Sequence, residues 1–294
     1  MGTRPPPETV AAVIRRTATR FGAARLAYGH GTLNAHEEAA WIVMHACGIP
    51  PDDLEEYAAR ELSLAEARRI EKLAERRIRE RIPAAYLTHE AWLGDFRFYV
   101  DRRVIVPRSF VAELLPDAIA PFLQRPVRSA LDMCTGSGCL AVILAHGFPR
   151  SRVDGVDLSA GALAVARRNV ADYRLASRIR LVRSDLFDAI PDRRYDLIVC
   201  NPPYVNAATM ARLPDEYRSE PRMALAGGED GLVLTHRILQ TSRRHLNPRG
   251  ALVCEIGHNR RALERAYPRV PFTWLDTSAG DGYVFLLERE QIPG

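Results

Sequence analysis

A chain of 294 residues with a 47% apolar fraction and a net charge of +5 suits one large domain plus a smaller partner, and is too apolar for a disordered segment. Residues 1–80 hold 12 cations and 12 acids, and no block of five like charges occurs, which excludes a basic nucleic-acid tail; arginine supplies 40 of the 41 cations, with Lys72 the only lysine, and that reads as codon bias. The cysteines (Cys47, Cys134, Cys139, Cys200, Cys254) form no C-x-x-C pair and no apolar run approaches 18 residues, so no metal site, disulfide framework or membrane span is expected.

At the start, Met1 to Pro7 has no apolar signal core, and Pro6 stands where a myristoylation pattern needs Ser or Thr. A cytoplasmic protein with reduced thiols is expected. Val10, Val13, Ile14, Thr17 and Phe21 recur at helical spacing and predict an amphipathic helix over 8–29. A second helix is predicted over 34–47, capped by Asn34. A third runs from Ser63 to Arg81, with Ser63 and Glu66 at capping-box spacing and Leu64, Ala67, Ile70, Leu73 and Ile78 as its buried stripe. Residues 91–106 change period: Phe96, Phe98 and Val100 alternate, and Val104-Ile105-Val106 follows Asp101-Arg102-Arg103, which predicts a β-hairpin.

A helix is predicted over 110–123. Beyond it, short apolar runs at 130–133, 153–157, 179–182 and 197–200 alternate with helical patterns, as in a parallel, doubly wound sheet. Strands at 250–256, 271–276 and 282–288 complete it. Only Thr277 to Asp281 separates the last two, so they must pair antiparallel at the edge. His236 and His245 read as helix-surface residues without metal partners.

The chemistry-bearing residues cluster at strand ends. Asp132-Met133-Cys134-Thr135-Gly136-Ser137-Gly138 is a strand running into a glycine turn and a helix, where backbone N–H groups approach a ligand closely. Asp157, followed by Leu158, ends the next strand and can accept both hydroxyls of a ribose. On these features alone an NAD enzyme stays open, because Gly136-x-Gly138-x-x-Ala141 also fits G-x-G-x-x-A. Asp185-Leu186 after the third strand, and Asn201-Pro202-Pro203-Tyr204 after the fourth, favour S-adenosylmethionine chemistry on a planar amide nitrogen. Two oxygens, the Asn201 side chain and the Pro202 carbonyl, can grip both N–H bonds and stabilise charge developing on nitrogen, with Tyr204 free to stack on the acceptor plane. A proline-containing strand exit, with Asn201 bonded to its own backbone, is the structural alternative.

Together these residues resemble the glutamine N5-methyltransferases, the family that includes the release-factor enzymes and those acting on large-subunit ribosomal protein L-three. The resemblance spans nearly the whole chain, through Val106-Pro107-Arg108-Ser109, the glycine turn, Ser184-Asp185-Leu186-Phe187, Asn201-Pro202-Pro203-Tyr204, Glu220-Pro221 and Gly228-Glu229-Asp230-Gly231-Leu232. Met133-Cys134, Leu213-Pro214-Asp215-Glu216-Tyr217-Arg218 and Pro271-Phe272-Thr273-Trp274 are similar to the ribosomal-protein branch. It implies a class I, Rossmann-like methyltransferase fold with a seven-stranded, mostly parallel sheet and an antiparallel edge hairpin, plus a small N-terminal helical domain. Expected boundaries are a substrate-docking domain over 1–88, a hairpin linker over 89–107 and a catalytic domain over 108–294.

The implied reaction is S-adenosylmethionine-dependent methylation of a glutamine in that large-subunit ribosomal protein, with a release factor as the alternative substrate and nucleic-acid adenine as a distant one. Cofactor contacts fall to Asp132, Cys134, Thr135, Gly136, Ser137, Gly138, Asp157, Leu158, Asp185, Leu186 and Asn201. Catalysis falls to Asn201, Pro202 and Tyr204, and acceptor binding to Asn201, Pro202, Pro203 and Tyr204. No direct nucleic-acid substrate and no membrane partner is expected. Leu186 stands where some release-factor enzymes have tryptophan. Residues 206–229 are expected to form a mobile cover over the acceptor site, anchored by Glu220-Pro221, with an ordinary surface loop before a helix capped by Asp230 as the alternative.

Overall fold

The computed structural model describes residues 8–293, so the reading of Met1 to Pro7 lies outside the described residues. The chain divides into two units: Met1–Glu90 with Pro214–Ser219, and Ala91–Leu213 with Glu220–Gly294. No helix among the described residues is long and apolar enough to cross a membrane.

The first unit is helical. Its helix Val10–Ala23 buries the predicted stripe, Val10, Val13, Ile14, Thr17 and Phe21, and Thr9 caps it by accepting the Ala12 N–H. The helix Ala35–Cys47 starts at Asn34, whose side-chain oxygen accepts the N–H groups of His36 and Glu37, and ends at Gly48 in the left-handed region at φ 67°. The helix Leu64–Glu80 opens with the Ser63–Glu66 capping box. Its buried face differs from the expected stripe. Leu64 is 56% exposed, and the fully covered side chains are Ile70, Ala74 and Arg77.

Arg77 is wholly buried because every arm of its guanidinium has a partner. Nε donates to Glu38 Oε2 at 3.0 Å, Nη1 to Glu216 Oε1 at 3.2 Å and Nη2 to the Ala27 carbonyl at 2.7 Å. A charge in the core is tolerated only when paired and hydrogen-bonded in this way. Glu216 is the one buried side chain of the 3₁₀ segment Asp215–Ser219, which therefore belongs to this unit.

The second unit contains a hairpin, apart from its first residue Glu90, and a large sheet. The hairpin strands are Glu90–Leu93 (β1) and Phe96–Tyr99 (β2), turning at Gly94 with φ 56°. Val104 to Val106 is not a strand, contrary to expectation: the Val106 N–H goes to the Glu220 carboxylate at 3.0 Å instead of a ladder partner. The predicted helix over 110–123 is also corrected. One turn, Val111–Leu114, is followed by a 3₁₀ turn at Ala120–Phe122, because Pro116 and Pro121 remove donors and clash with a continuing helix.

The sheet comprises Ser129–Met133 (β3), Arg152–Asp157 (β4), Ile179–Arg183 (β5), Tyr195–Cys200 (β6), Leu246–Glu255 (β7), Thr273–Thr277 (β8) and Gly280–Glu288 (β9). Its order is β5-β4-β3-β6-β7-β9-β8, with β5 to β7 pairing in parallel and β9 antiparallel to both β7 and β8. Successive residues face opposite sides. Leu197 and Val199 enter one apolar layer with the helix Cys139–Gly147, whereas Ile198 and Cys200 enter the other with the helix Val233–Ser242. The winding reverses between β3 and β6, and a ligand crevice is expected beyond the carboxyl ends of strands at such a point.

Candidate functional site

An open cleft lies there. Four strand ends meet in it. Cys134 and Gly136 follow β3, Asp157 and Leu158 stand at the end of β4, Asp185 and Leu186 follow β5, and Asn201 and Pro203 follow β6.

The glycine turn reaches the cleft through three left-handed residues, Cys134 at φ 61°, Gly136 at 54° and Gly138 at 79°. A methyl group added at Gly136 would meet nothing nearer than the Cys134 carbonyl oxygen at 3.9 Å, so this face of the loop is open to a ligand. Gly138 serves packing instead: a Cβ there would lie 3.1 Å from that of Ala166. Asp157 braces the turn from the neighbouring strand. Its Oδ2 accepts the Gly136 N–H at 2.9 Å and its Oδ1 the Ser159 N–H at 2.8 Å. Burial pushes its carboxyl up, against the two backbone donors. Each oxygen keeps acceptor capacity for a second donor.

Asp132, Thr135, Ser137 and Gly138 are buried and do not line the cleft. Asp132 lies beneath the turn, where Oδ2 accepts the Thr135 hydroxyl and the Ala141 N–H while Oδ1 has no partner among the described residues. Burial raises Asp132 from an ordinary 3.8 to about 7, opposed by the Thr135 and Ala141 donors. Between about pH 4 and 7 the folded chain then holds a proton that the unfolded chain has released, so stability falls as pH rises through that window. From pH 5 to 8 the wild type is expected to lose several degrees of melting temperature relative to Asp132→Asn; parallel melting profiles would contradict this.

Beyond β5, Asp185 and Leu186 present a carboxylate and an apolar side chain to the cleft. Asp185 Oδ1 accepts Arg237 Nη1 at 3.0 Å, and both side chains are 43% exposed, so the carboxylate remains open to a further donor. Leu158, 49% exposed, supplies another apolar part of the cleft wall.

Asn201 lines the cleft, and among the described residues its carboxamide has no hydrogen-bond partner, so the self-bonded alternative is not the one adopted. Pro202 is buried and Pro203 faces the cleft. Tyr204 departs from the expected free stacking platform. Its hydroxyl donates to Glu255 Oε1 at 2.9 Å, its carbonyl accepts Asn259 Nδ2 at 2.8 Å, and its ring rests against Gly257. It does not line the cleft.

The segment after Tyr204 folds back on its own base. Val205 bridges to Ala226, and the Gly227 N–H donates to the Val205 carbonyl at 2.8 Å. Pro221, Met223 and Ala224 form a wall of the cleft, held in place by Glu220, whose carboxylate is forked by Arg108 at 2.6 and 2.7 Å. That gives Arg108 the role its position in the sequence did not suggest.

Sequence reasoning missed three residues that shape the site. Asn169, 1% exposed, donates to the Ser137 carbonyl at 2.8 Å and to the Tyr99 carbonyl at 3.0 Å, fixing the glycine turn on its helix. Ser109 and Glu255 are joined at 2.7 Å. Glu255 ends β7, so the strand-end rule that singled out Asp157 applies to it equally. His245 is also corrected: it is 2% exposed, stacked on Phe187 with ring centroids 4.3 Å apart.

Comparison with known proteins follows the same division. A family described as "Methyltransferase small domain" matches residues 113–214, and one described as "PrmC N-terminal domain" matches residues 17–88. The chain is 53% identical to the ribosomal protein uL3 glutamine methyltransferase of Neisseria meningitidis serogroup A, covering 97% of this chain and 95% of that one. It is 51% identical to that of Bordetella pertussis, covering 97% and 96%, and 49% identical to that of Burkholderia pseudomallei, covering 100% and 99%. Among solved structures, the hMettl16 catalytic domain in complex with an RNA hairpin aligns with a TM-score of 0.53 at 15% identity, over 83% of this chain and 91% of that one, which shows a shared fold alone.

Proposed function

The chain belongs to the ribosomal protein uL3 glutamine methyltransferase family, and from that we propose that it transfers a methyl group from S-adenosylmethionine to a glutamine side-chain amide of uL3 in the cytoplasm. The observation that carries the reading is the meeting of Gly136, Asp157, Asp185 and an unengaged Asn201 carboxamide in one cleft. When bound, S-adenosylmethionine supplies an electrophilic methyl carbon on a cationic sulfur. Gly136 and Asp157 would hold its methionine and ribose portions, and Leu158, Asp185 and Leu186 its adenine.

An amide nitrogen is a weak nucleophile because its lone pair is delocalised into the carbonyl. The Asn201 side-chain oxygen and the Pro202 carbonyl accept its two N–H bonds and orient the lone pair along the line of transfer. Positive charge that grows on the amide nitrogen as it takes up the methyl group would be stabilised by those two oxygens before one proton leaves to solvent. The protein needs no strong base; its contribution is fixed geometry and fixed dipoles.

Purified enzyme with methyl-labelled cofactor is expected to label one glutamine of unmodified uL3, located by fragment mass mapping, and to leave release factor unlabelled at equal concentration. Label on release factor alone would transfer the assignment to that substrate, and no glutamine label on either protein would end it.

A further inference from the structure

We propose that Glu255, acting through Tyr204, is a positioning residue for methyl transfer, holding the Asn201 and Pro202 oxygens where the glutamine nitrogen must sit. The inference rests on the glutamine reading above. Glu255 is 0% exposed at the end of β7. Oε2 accepts the Ser109 hydroxyl at 2.7 Å and the Phe110 N–H at 2.9 Å, and Oε1 accepts the Tyr204 hydroxyl at 2.9 Å. Burying a carboxylate is costly even with three donors, and an apolar residue would serve packing at least as well. What the carboxylate adds is direction: it fixes the phenol at one point.

The surroundings of Tyr204 are built for the same end. Three glycines leave space for it that any side chain would fill. A Cβ at Gly257 would come within 2.6 Å of the ring, one at Gly227 within 2.7 Å of the Tyr204 Cα, and one at Gly231 within 2.4 Å of its carbonyl oxygen. Gly257 and Gly231 also adopt left-handed backbone, at φ 56° and 80°. Tyr204 is joined to Asn201 through Pro202 and Pro203, whose rings fix φ, so the short link has few soft torsions to absorb a shift. Movement of the phenol is therefore passed to the acceptor oxygens, and displacement of about 1 Å at a reacting centre can lower turnover about 100-fold.

The test is kinetic. Tyr204→Phe removes one hydroxyl and is expected to lower kcat roughly 10- to 100-fold, with the dissociation constant for S-adenosylmethionine nearly unchanged and the melting temperature lowered by only a few degrees, the effect of leaving one oxygen of the buried carboxylate without its donor. Glu255→Gln keeps the shape and can still pair with the phenol, so it should retain more kcat than Glu255→Ala. The double variant Tyr204→Phe/Glu255→Gln should be no slower than its slower single parent, because both act on one bond. Wild-type kcat in Tyr204→Phe, a loss confined to cofactor affinity, or multiplicative losses in the double variant would each overturn the proposal. If Glu255→Ala does not fold, Tyr204→Phe and Glu255→Gln decide it. Wild-type label on glutamine in the same assay checks the underlying reading separately: its absence removes that reading, whereas label with unaffected variants removes only the role of Glu255.

Discussion

Replacing Asn201 by alanine is expected to lower kcat for uL3 methylation roughly 30- to 1,000-fold, or about 2–4 kcal/mol of transition-state stabilisation, with a smaller change in affinity for S-adenosylmethionine. The asymmetry follows from where charge appears. In the ground state the glutamine amide is neutral and one lost acceptor weakens binding modestly. In the proposed reaction the nitrogen becomes positive during transfer, and the Asn201 oxygen is one of the two acceptors assigned to it. Asn201→Asp keeps an acceptor at the same position and should retain more activity than the alanine variant. If alanine at 201 leaves kcat within threefold of wild type, the carboxamide is not the acceptor, whatever else it contacts.

Local patterns made much of this legible and long-range pairings hid the rest. The stripe from Val10 to Phe21 is continuous at helical spacing, so the buried face of that helix was readable one residue at a time. The strand ends that meet in the cleft were readable because each is a short apolar run closed by an acid, a glycine turn or Asn-Pro-Pro-Tyr. Val104 to Val106 was misread for a reason outside the segment. Val104 and Val106 are buried as their composition suggests, but the Val106 N–H is taken by a carboxylate 114 residues away. The helix predicted over 110–123 stops after one turn, at Leu114, because Pro116 and Pro121 cannot continue it. Tyr204 carries a motif that suggests contact with the acceptor, yet its tie to Glu255 joins residues 51 positions apart. Arginine at a core position reads as surface in any local window, since charged residues are almost never buried unpaired. Glu38 and Glu216, 39 and 139 residues from Arg77, are what make its burial possible.

The buried Arg77 leads to the largest expected loss of stability. Arg77→Met is predicted to lower unfolding free energy by about 3–5 kcal/mol, the usual result of breaking a buried ion pair from one side. Two carboxylates would be left without their shared cation. Burial already pushes Glu38 above its ordinary range, only partly offset by Arg77 and the Ala84 N–H. Burial pushes Glu216 upward too, but the Ala27 N–H and Arg77 outweigh it and hold that carboxyl below its ordinary range. Arg81, at 3.3 Å, cannot replace Arg77 fully, because its side chain is 35% exposed and screened. A stability loss of that size corresponds to a fall in melting temperature on the order of 10 °C. The effect should reach the segment Pro214–Ser219, which is part of the helical unit although the residues on either side of it belong to the catalytic unit. Limited proteolysis should therefore cut Arg77→Met near 214–219 before the wild type. Replacing Arg77, Glu38 and Glu216 together by apolar residues of similar volume should recover most of the lost stability, since the cost lies in the uncompensated charges. A single Arg77→Met variant that melts within 2 °C of wild type would mean that the three-residue pairing is dispensable, and that apolar packing alone holds the segment.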